Sequence, residues 1–154
     1  MQQNCNIPVL QVLSLAEQIA AGAKTIWGHR VDGEPNFLSL FSRERNVVTL
    51  KPGETLFKKD DAAHYMYVVL SGNLRIGDGN IIYEEVSAGG IVGEMALVDH
   101  APRSATVTAT TDCTLAEIDE KRFLFLVQQT PMFALNLLRL LSHRLRQMNT
   151  LLKA

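Results

Sequence analysis

The sequence is poor in the residues that build metal, redox and catalytic sites. Its 154 residues include two cysteines, Cys5 and Cys113, which lie far apart and match no metal-binding or redox spacing. The four histidines are scattered, and no serine, cysteine or histidine set has the arrangement of a catalytic nucleophile. We therefore expect a protein that is not an enzyme and that holds no metal or cofactor. Cys113 lies in a strand-like run and is predicted to be a small core residue.

Charge of one sign and long apolar runs are also missing. The net charge of −1 provides no basic field that would attract nucleic acid. No apolar run is long enough to cross a bilayer, and the opening MQQNCNIPVL lacks the basic start and apolar stretch of a signal peptide. Together with the cysteine usage, these absences predict a cytoplasmic protein without a membrane partner.

The chain divides into an N-terminal helical segment (1–45), a strand-rich zone (46–119) and C-terminal helices (120–154). Residues 9–26 have apolar positions at helical spacing, and FLSLFSRE predicts a short second helix before the strands. The middle zone contains the continuous apolar run YMYVVLSG, a hairpin pattern around Asp78-Gly79 and the alternating SATVTAT. Short strands with frequent turns predict a β-sandwich or a barrel.

The C-terminal zone predicts two helices with caps at Asp119 and Thr130. Apolar residues of the last helix form a seam with coiled-coil spacing: Leu138, Leu141, Leu145, Met148 and Leu152. A second stripe predicted to pack on the strand zone contains Phe133, Leu137 and Leu140. The seam predicts a parallel homodimer, with packing of the seam on its own strand zone as the alternative. The basic residues Arg139, Arg144, Arg146 and Lys153 are expected to be solvated charges beside the seam.

The stretch GEMALVDHAPRSATV places one acid, Glu94, and one base, Arg103, among small residues. A guanidinium suits a phosphate or a carboxylate, and an ionised carboxylate suits a hydroxyl. A turn of helix over EMAL would aim free N–H groups at an anion. A ribose cyclic phosphate, with a phosphate beside a free hydroxyl, satisfies all of these groups. The alternative is an internal Glu94–Arg103 salt bridge that closes a surface loop.

GEMAL followed by PRSATV resembles the phosphate-binding cassette of the cyclic nucleotide-binding domain family, which includes catabolite activator proteins and protein kinase A regulatory subunits. The run LKPGETLFKKDDAAHYMYVVLSGNLRI is similar to the family's early strands, and the resemblance extends from about residue 37 to the C-terminus. It implies a mainly β fold, an antiparallel β-roll (jelly roll) of about eight strands with flanking N-terminal helices and a long C-terminal helix. Lys59, which precedes Asp60 in a turn, departs from the family, which usually has glycine there.

The resemblance also implies a role for each residue of the cassette. Glu94 would accept a hydrogen bond from the ribose 2′-hydroxyl, and Arg103 would neutralise the cyclic phosphate. The backbone N–H groups of Met95 and Ala96 and the Ser104 hydroxyl would complete the phosphate cradle.

The remaining implied positions lie around that cradle. Gly93 would allow the close turn, and Val92 and Val107 would line an apolar wall. At the family's base-contacting positions this chain has Met148 and Asn149. Asn149 can pair with an adenine edge or be a solvated helix residue, and Met148 is expected in the dimer seam.

The sequence therefore predicts a receptor for a cyclic nucleotide, cyclic AMP before cyclic GMP, that signals through a ligand-dependent helix rearrangement. Two alternatives are a degenerate domain that binds no ligand and mediates interactions, and a small metal-dependent cupin-type enzyme. The chain ends soon after the matched helix, so no DNA-binding domain is expected in it. An unknown protein partner would receive the signal, and the N-terminal helix is the expected docking segment.

Overall fold

The structure, a computed structural model, describes residues 35–153. The predicted helix over residues 9–26 lies outside this range. In chain order the elements are α1 (Leu38–Phe41), β1 (Val47–Leu50), β2 (Thr55–Phe57), β3 (Tyr65–Ser71), β4 (Asn73–Asp78), β5 (Ile81–Ser87), β6 (Ile91–Val92), α2 (Met95–Asp99), β7 (Thr106–Ala109), β8 (Cys113–Asp119), α3 (Glu120–Gln129) and α4 (Pro131–Leu151). The short helix predicted over FLSLFSRE is α1.

Eight strands form two four-stranded sheets in which every neighbouring pair is antiparallel. The strand order is β1-β8-β3-β6 in the first sheet and β2-β7-β4-β5 in the second. The hairpin predicted around Asp78-Gly79 joins β4 to β5. The predicted antiparallel β-roll with a long C-terminal helix is therefore confirmed.

Strand β3 explains why two separate cores form. Its side chains alternate between the two faces of the first sheet, as the period of a strand requires. Met66 and Val68 face the helices, whereas Tyr67 and Val69 face the second sheet. Both faces of β3 are therefore buried, and its sequence is a continuous apolar run rather than an alternating one.

The core under the helices contains the predicted stripe of α4. Phe133, Leu137 and Leu140 are buried against the first sheet, and the ring of Phe133 makes edge contacts with Phe37, Phe41 and Phe123. Cys113 is buried in the core between the two sheets, as predicted.

The ends of the C-terminal helices match the predicted caps only in part. The Asp119 carboxylate accepts a hydrogen bond of 2.7 Å from the Arg122 backbone N–H, so it caps α3. Thr130 occupies the N-cap position of α4, with Pro131 after it, but its hydroxyl makes no capping bond. The chain bends by 111° between α3 and α4. Within the described residues, no single helix has the length and hydropathy needed to cross a bilayer.

We expect Phe133→Ala to lower the free energy of unfolding by about 3–5 kcal/mol, because it leaves a cavity where three aromatic rings meet. Phe125→Ala on α3 is the matched control, since Phe125 is half exposed and should lose less than about 1 kcal/mol. Urea unfolding of the two variants measures the difference. Equal losses would contradict this description of the core.

Candidate functional site

A cavity of about 310 Å³ lies between the second sheet, α2 and the C-terminal part of α4. Its lining comprises Phe57, Ile76, Tyr83, Glu84, Gly93, Glu94, Met95, Ala96, Pro102, Arg103, Ser104, Ala105, Val107, Arg144, Gln147 and Met148. Seven of the nine site residues predicted from the sequence are in this set. Val92 and Asn149 are not.

The turn before α2 forms one wall of the cavity. Gly93 has φ +77°, a conformation that glycine adopts easily and other residues adopt at a cost. A Cβ on Gly93 would collide with Nη1 of Arg103, so this position also lets the guanidinium approach the backbone. Met95 and Ala96 begin α2, where a helix leaves its N–H groups without an intrahelical acceptor. The turn therefore places free amides beside a guanidinium.

Arg103 is only 5% exposed, yet it has no carboxylate partner among residues 35–153. Its guanidinium donates to two backbone carbonyls, from Nη1 to Gly93 O at 3.1 Å and from Nη2 to Tyr65 O at 2.7 Å. Its Cζ lies 4.0 Å from the centre of the Phe57 ring. The Nε of Arg103 is buried and has no hydrogen-bond partner in the described part of the chain.

The charge of Arg103 is therefore poorly compensated. Burial lowers the pKa of Arg103, although Tyr67, Glu94 and Asp61 act in the opposite direction. Burying an unpaired cation costs free energy that an anion placed beside it would offset. The alternative to a ligand site, an internal Glu94–Arg103 salt bridge, does not form, because Glu94 pairs with another arginine.

That arginine is Arg144, which reaches into the cavity from α4. Its Nη1 donates to Glu94 Oε1 at 2.7 Å, and its Nε donates to Glu84 Oε2 at 2.7 Å. Its Nη2 donates to the backbone carbonyl of Ile91 at 2.7 Å. Burial acts to lower the pKa of Arg144, but the charges of Glu94 and Glu84 outweigh it and raise that pKa.

The expectation that Arg144 is a solvated charge beside the seam is therefore wrong, and Glu84 was not predicted at all. The missed signal is the stripe that faces the roll. Steps of three and four residues from Phe133, Leu137 and Leu140 lead to Arg144 and then to Gln147 and Met148. Extending the stripe past its last leucine would have placed Arg144 on the inner face of the helix.

Met148 differs from its predicted position, and of the two alternatives for Asn149 the structure matches the solvated helix residue and not the base contact. Met148 lines the cavity rather than joining an exposed seam. Asn149 is exposed and does not contact the cavity, because it lies one residue, about 100° of helical rotation, beyond Met148. It shares its face of α4 with the exposed Leu145 and Leu152. Among the described residues of α4, Gln147 and Arg144 present the polar groups in the cavity lining.

Three further positions complete the comparison with the predicted site. Ser104 is exposed at the cavity, and its hydroxyl makes a 3.8 Å contact with Met95 Sδ. Val107 lines the cavity as predicted. Val92 does not, because alternation along β6 turns it into the core between the sheets.

The turn at Lys59-Asp60 is closer to the site than its place in the sequence indicates. The Asp60 N–H donates to the Arg103 carbonyl at 2.8 Å, and the Arg103 N–H donates to the Asp61 carbonyl at 3.0 Å. Asp60 has φ +70°, which explains why glycine is favoured at this turn. The turn therefore holds the backbone from which the Arg103 side chain projects.

No three histidine, cysteine, aspartate or glutamate side chains converge on a potential metal position among residues 35–153. The polar groups at the cavity are instead suited to an anion that also carries hydroxyl groups.

A family model of the cyclic nucleotide-binding domain matches residues 47–130, more than half of the chain. The chain therefore belongs to the cyclic nucleotide-binding domain family. The match ends before α4, so the family assignment rests on the β-roll and α3 and does not include the helix that carries Arg144.

Two curated relatives illustrate the similarity. The cAMP-dependent protein kinase regulatory subunit of Colletotrichum orbiculare is 38% identical over 74 residues, which cover 47% of this chain and 19% of the relative. The cyclic AMP receptor protein of Thermus thermophilus is 32% identical over 100 residues, which cover 62% of this chain and 46% of the relative. The chain thus matches less than half the length of these relatives.

Solved structures with the same fold include the Thermus thermophilus catabolite activator protein, with a TM-score of 0.63 and 28% identity. The similarity covers 70% of this chain and 53% of that one. The cAMP-bound form of the EAL enzyme Bd1971 has a TM-score of 0.53 and 30% identity, and the similarity covers 68% of this chain and 29% of that one.

We expect Gly93→Ala to destabilise the protein more than Gly53→Ala, because only the first places a methyl group against Arg103. Both glycines have positive φ, +77° and +86°, and a Cβ on Gly53 meets nothing within 4 Å. Gly53→Ala should therefore lower the free energy of unfolding by about 1 kcal/mol, because alanine is strained at positive φ. Gly93→Ala should lose about 2 kcal/mol more, from overpacking around the guanidinium. Urea unfolding measures the free energy of unfolding of both variants. Equal losses would show that the Arg103 side chain moves away from the added methyl group without a cost in free energy.

Proposed function

We propose that this domain is a cyclic AMP receptor that acts by binding and not by catalysis. The observation that carries this proposal is Arg103, a buried guanidinium in a cavity wall that has two carbonyl partners and, in the described part of the chain, no carboxylate partner. A cyclic phosphate brings one negative charge and can accept from the guanidinium. The first amides of α2 and the Ser104 hydroxyl lie in the same cavity wall and can donate to the same anion.

The ribose and the base would use the other parts of the cavity. Glu94 is 2% exposed, and no described residue donates to its Oε2, so this oxygen can accept from a ribose hydroxyl. Ile76, Val107 and Met148 provide apolar surface for a purine, and Tyr83 also belongs to the lining. A purine ring is flat and mostly apolar, so it suits such a surface.

Cyclic AMP is proposed before cyclic GMP on the basis of the relatives, since Asn149 no longer supports the choice. The two curated relatives described above are a cAMP-dependent kinase subunit and a cyclic AMP receptor protein. The EAL enzyme Bd1971 has been solved in both a cAMP-bound and a cGMP-bound form, so the fold accommodates either base. The hydroxyl of Ser104 is compatible with both nucleotides.

Calorimetric titration with cyclic AMP and cyclic GMP, alone and in competition, tests the proposal. We expect Arg103→Ala to weaken cyclic AMP binding by about a hundred-fold, because the phosphate loses its buried charged partner. Arg75→Ala is the matched control, since Arg75 forms an exposed ion pair with Glu85 and should not affect affinity.

Three other results of the titration would change the proposal. Unchanged affinity in Arg103→Ala would refute the assignment of the phosphate site. Tighter binding of cyclic GMP in competition would reverse the choice of ligand. Absence of binding by the wild-type chain would favour the ligand-free interaction domain.

The exposed face of α4 supports a second part of the proposal, a parallel homodimer. Leu138, Leu145 and Leu152 are 60%, 63% and 82% exposed, although they lie on one side of the helix. Leaving them in water costs about 25 cal/mol per Å² of apolar surface. The alternative, in which the seam packs on its own β-roll, does not fit this exposure. Because Arg144 lies on the same helix as these leucines, about 100° around it from Leu145, ligand binding would alter the position of the helix in the dimer.

We expect sedimentation to show a dimer for wild type and a monomer for Leu145→Asp, because a carboxylate in the seam would be buried. Leu124→Asp is the matched control, since Leu124 is exposed on α3 and away from the seam. Hydrogen exchange of α4 should change when cyclic AMP is added to the wild type.

A wild-type monomer with and without nucleotide would refute the dimer. Identical protection of α4 in both conditions would refute the ligand-dependent rearrangement but would not contradict the proposed binding site.

A further inference from the structure

Strand β5 carries two adjacent glutamates that point to opposite faces of the second sheet. Glu85 is exposed and pairs with Arg75 on the outer face, at 3.2 Å. Glu84 faces the cavity, and its side chain is only 11% exposed. A carboxylate buried to this extent needs a charged partner, and Arg144 provides it.

Glu84 determines how Arg144 meets Glu94. Both oxygens of Glu84 lie along the edge of the guanidinium formed by Nε and Nη2, at 2.7 Å and 3.4 Å. This leaves Nη1 as the atom that reaches Glu94, and it contacts only Oε1. The contact between Arg144 and Glu94 is therefore single, although an arginine and a carboxylate commonly form two parallel bonds.

We infer that Glu84 is a positioning residue for ribose recognition, because it holds Arg144 in a single contact with Glu94 and so keeps one oxygen of Glu94 open. The inference rests on the proposed function, in which that oxygen accepts from the ribose 2′-hydroxyl. Glu84 acts through Arg144 and need not touch the ligand. Without Glu84, the guanidinium would be free to turn and take both oxygens of Glu94.

This role predicts a specific loss in Glu84→Gln, which keeps the shape of the side chain and removes its charge. The wild type should bind cyclic AMP about ten-fold more tightly than 2′-deoxy cyclic AMP, as expected for one hydrogen bond to a charged acceptor. In Glu84→Gln this ratio should fall to about two-fold. Glu85→Gln on the same strand is the control and should keep the wild-type ratio, because Glu85 faces away from the cavity.

Removing Arg144 as well tests whether Glu84 acts through it. In the double variant Glu84→Gln/Arg144→Gln, no guanidinium competes for Glu94, so the ratio should return to within about three-fold of the wild type. A double variant that stays at the low ratio would overturn the inference, because Glu84 would then act on the ligand by itself. If Glu84→Gln does not fold, Glu84→Asp keeps the charge but withdraws it by one methylene, and it should show the same loss.

The outcomes separate this inference from the proposed function. If the wild type binds cyclic AMP with the expected ratio and Glu84→Gln keeps it, the positioning role is wrong and the binding function stands. Equal weakening of both nucleotides in Glu84→Gln would show a purely structural role and also overturn the inference. If the wild type binds neither nucleotide, the proposed function fails and this inference fails with it.

Discussion

The guanidinium of Arg144 connects three parts of the molecule. It projects from α4, and its three nitrogens donate to Glu84 on β5, to Glu94 at the start of α2 and to the carbonyl of Ile91. Each of these acceptors is largely buried, so losing the arginine would leave two carboxylates without a partner in a region of low dielectric constant. The same side chain therefore pairs with both carboxylates of the site and ties the C-terminal helix to them.

The two arginines of the cavity are held in opposite ways, and this difference gives the site its polarity. Arg144 contacts two carboxylates, so that end of the cavity has an excess of negative charge. Within residues 35–153, Arg103 contacts carbonyls and aromatic rings but no carboxylate, so its end has an excess of positive charge. A ligand with an anionic group at one end and hydroxyl donors at the other matches both excesses. The match concerns charge and hydrogen bonding, and it is independent of which base the ligand carries.

The sequence was sufficient to predict the features that depend on residues near one another in the chain. The cassette from Gly93 to Ser104 is one continuous stretch, so its order of residue types was visible directly. The strands could be predicted from alternation and turns, and the stripe through Phe133 from helical spacing. The caps were only partly predictable, because the Thr130 hydroxyl had the right position and made no bond.

The residues that were missed are those whose role depends on contacts distant in the sequence. Arg144 is separated from Glu84 by 60 residues and from Glu94 by 50, and no local pattern links them. Adjacent glutamates at 84 and 85 look alike in a sequence, and only the pairing of β5 with β4 shows which one faces inward. The sequence left two alternatives for Asn149, because the resemblance assigns a position along the helix but not the direction in which the side chain points. One residue of helix changes that direction by about 100°.

Helix α4 has both a buried face and an exposed face, so a change in its position at the cavity would also move the exposed face. The stripe from Phe133 to Leu140 packs in the core, whereas Arg144 and Met148 continue the same stripe into the cavity. Leu138 and Leu145, with Leu152 at the C-cap, lie on another side of the same 21-residue helix. A helix of this length spans about 30 Å, and it is anchored at its N-terminal end by aromatic packing and further along by the ion-paired side chain of Arg144. Under the proposed function, a ligand that rearranged Glu94 would shift Arg144 or weaken its contacts, and either change would be transmitted to the leucine face. Occupancy of the cavity would then be coupled to the surface through which the helix would meet a partner, to the extent that the ligand favours one helix position over the other.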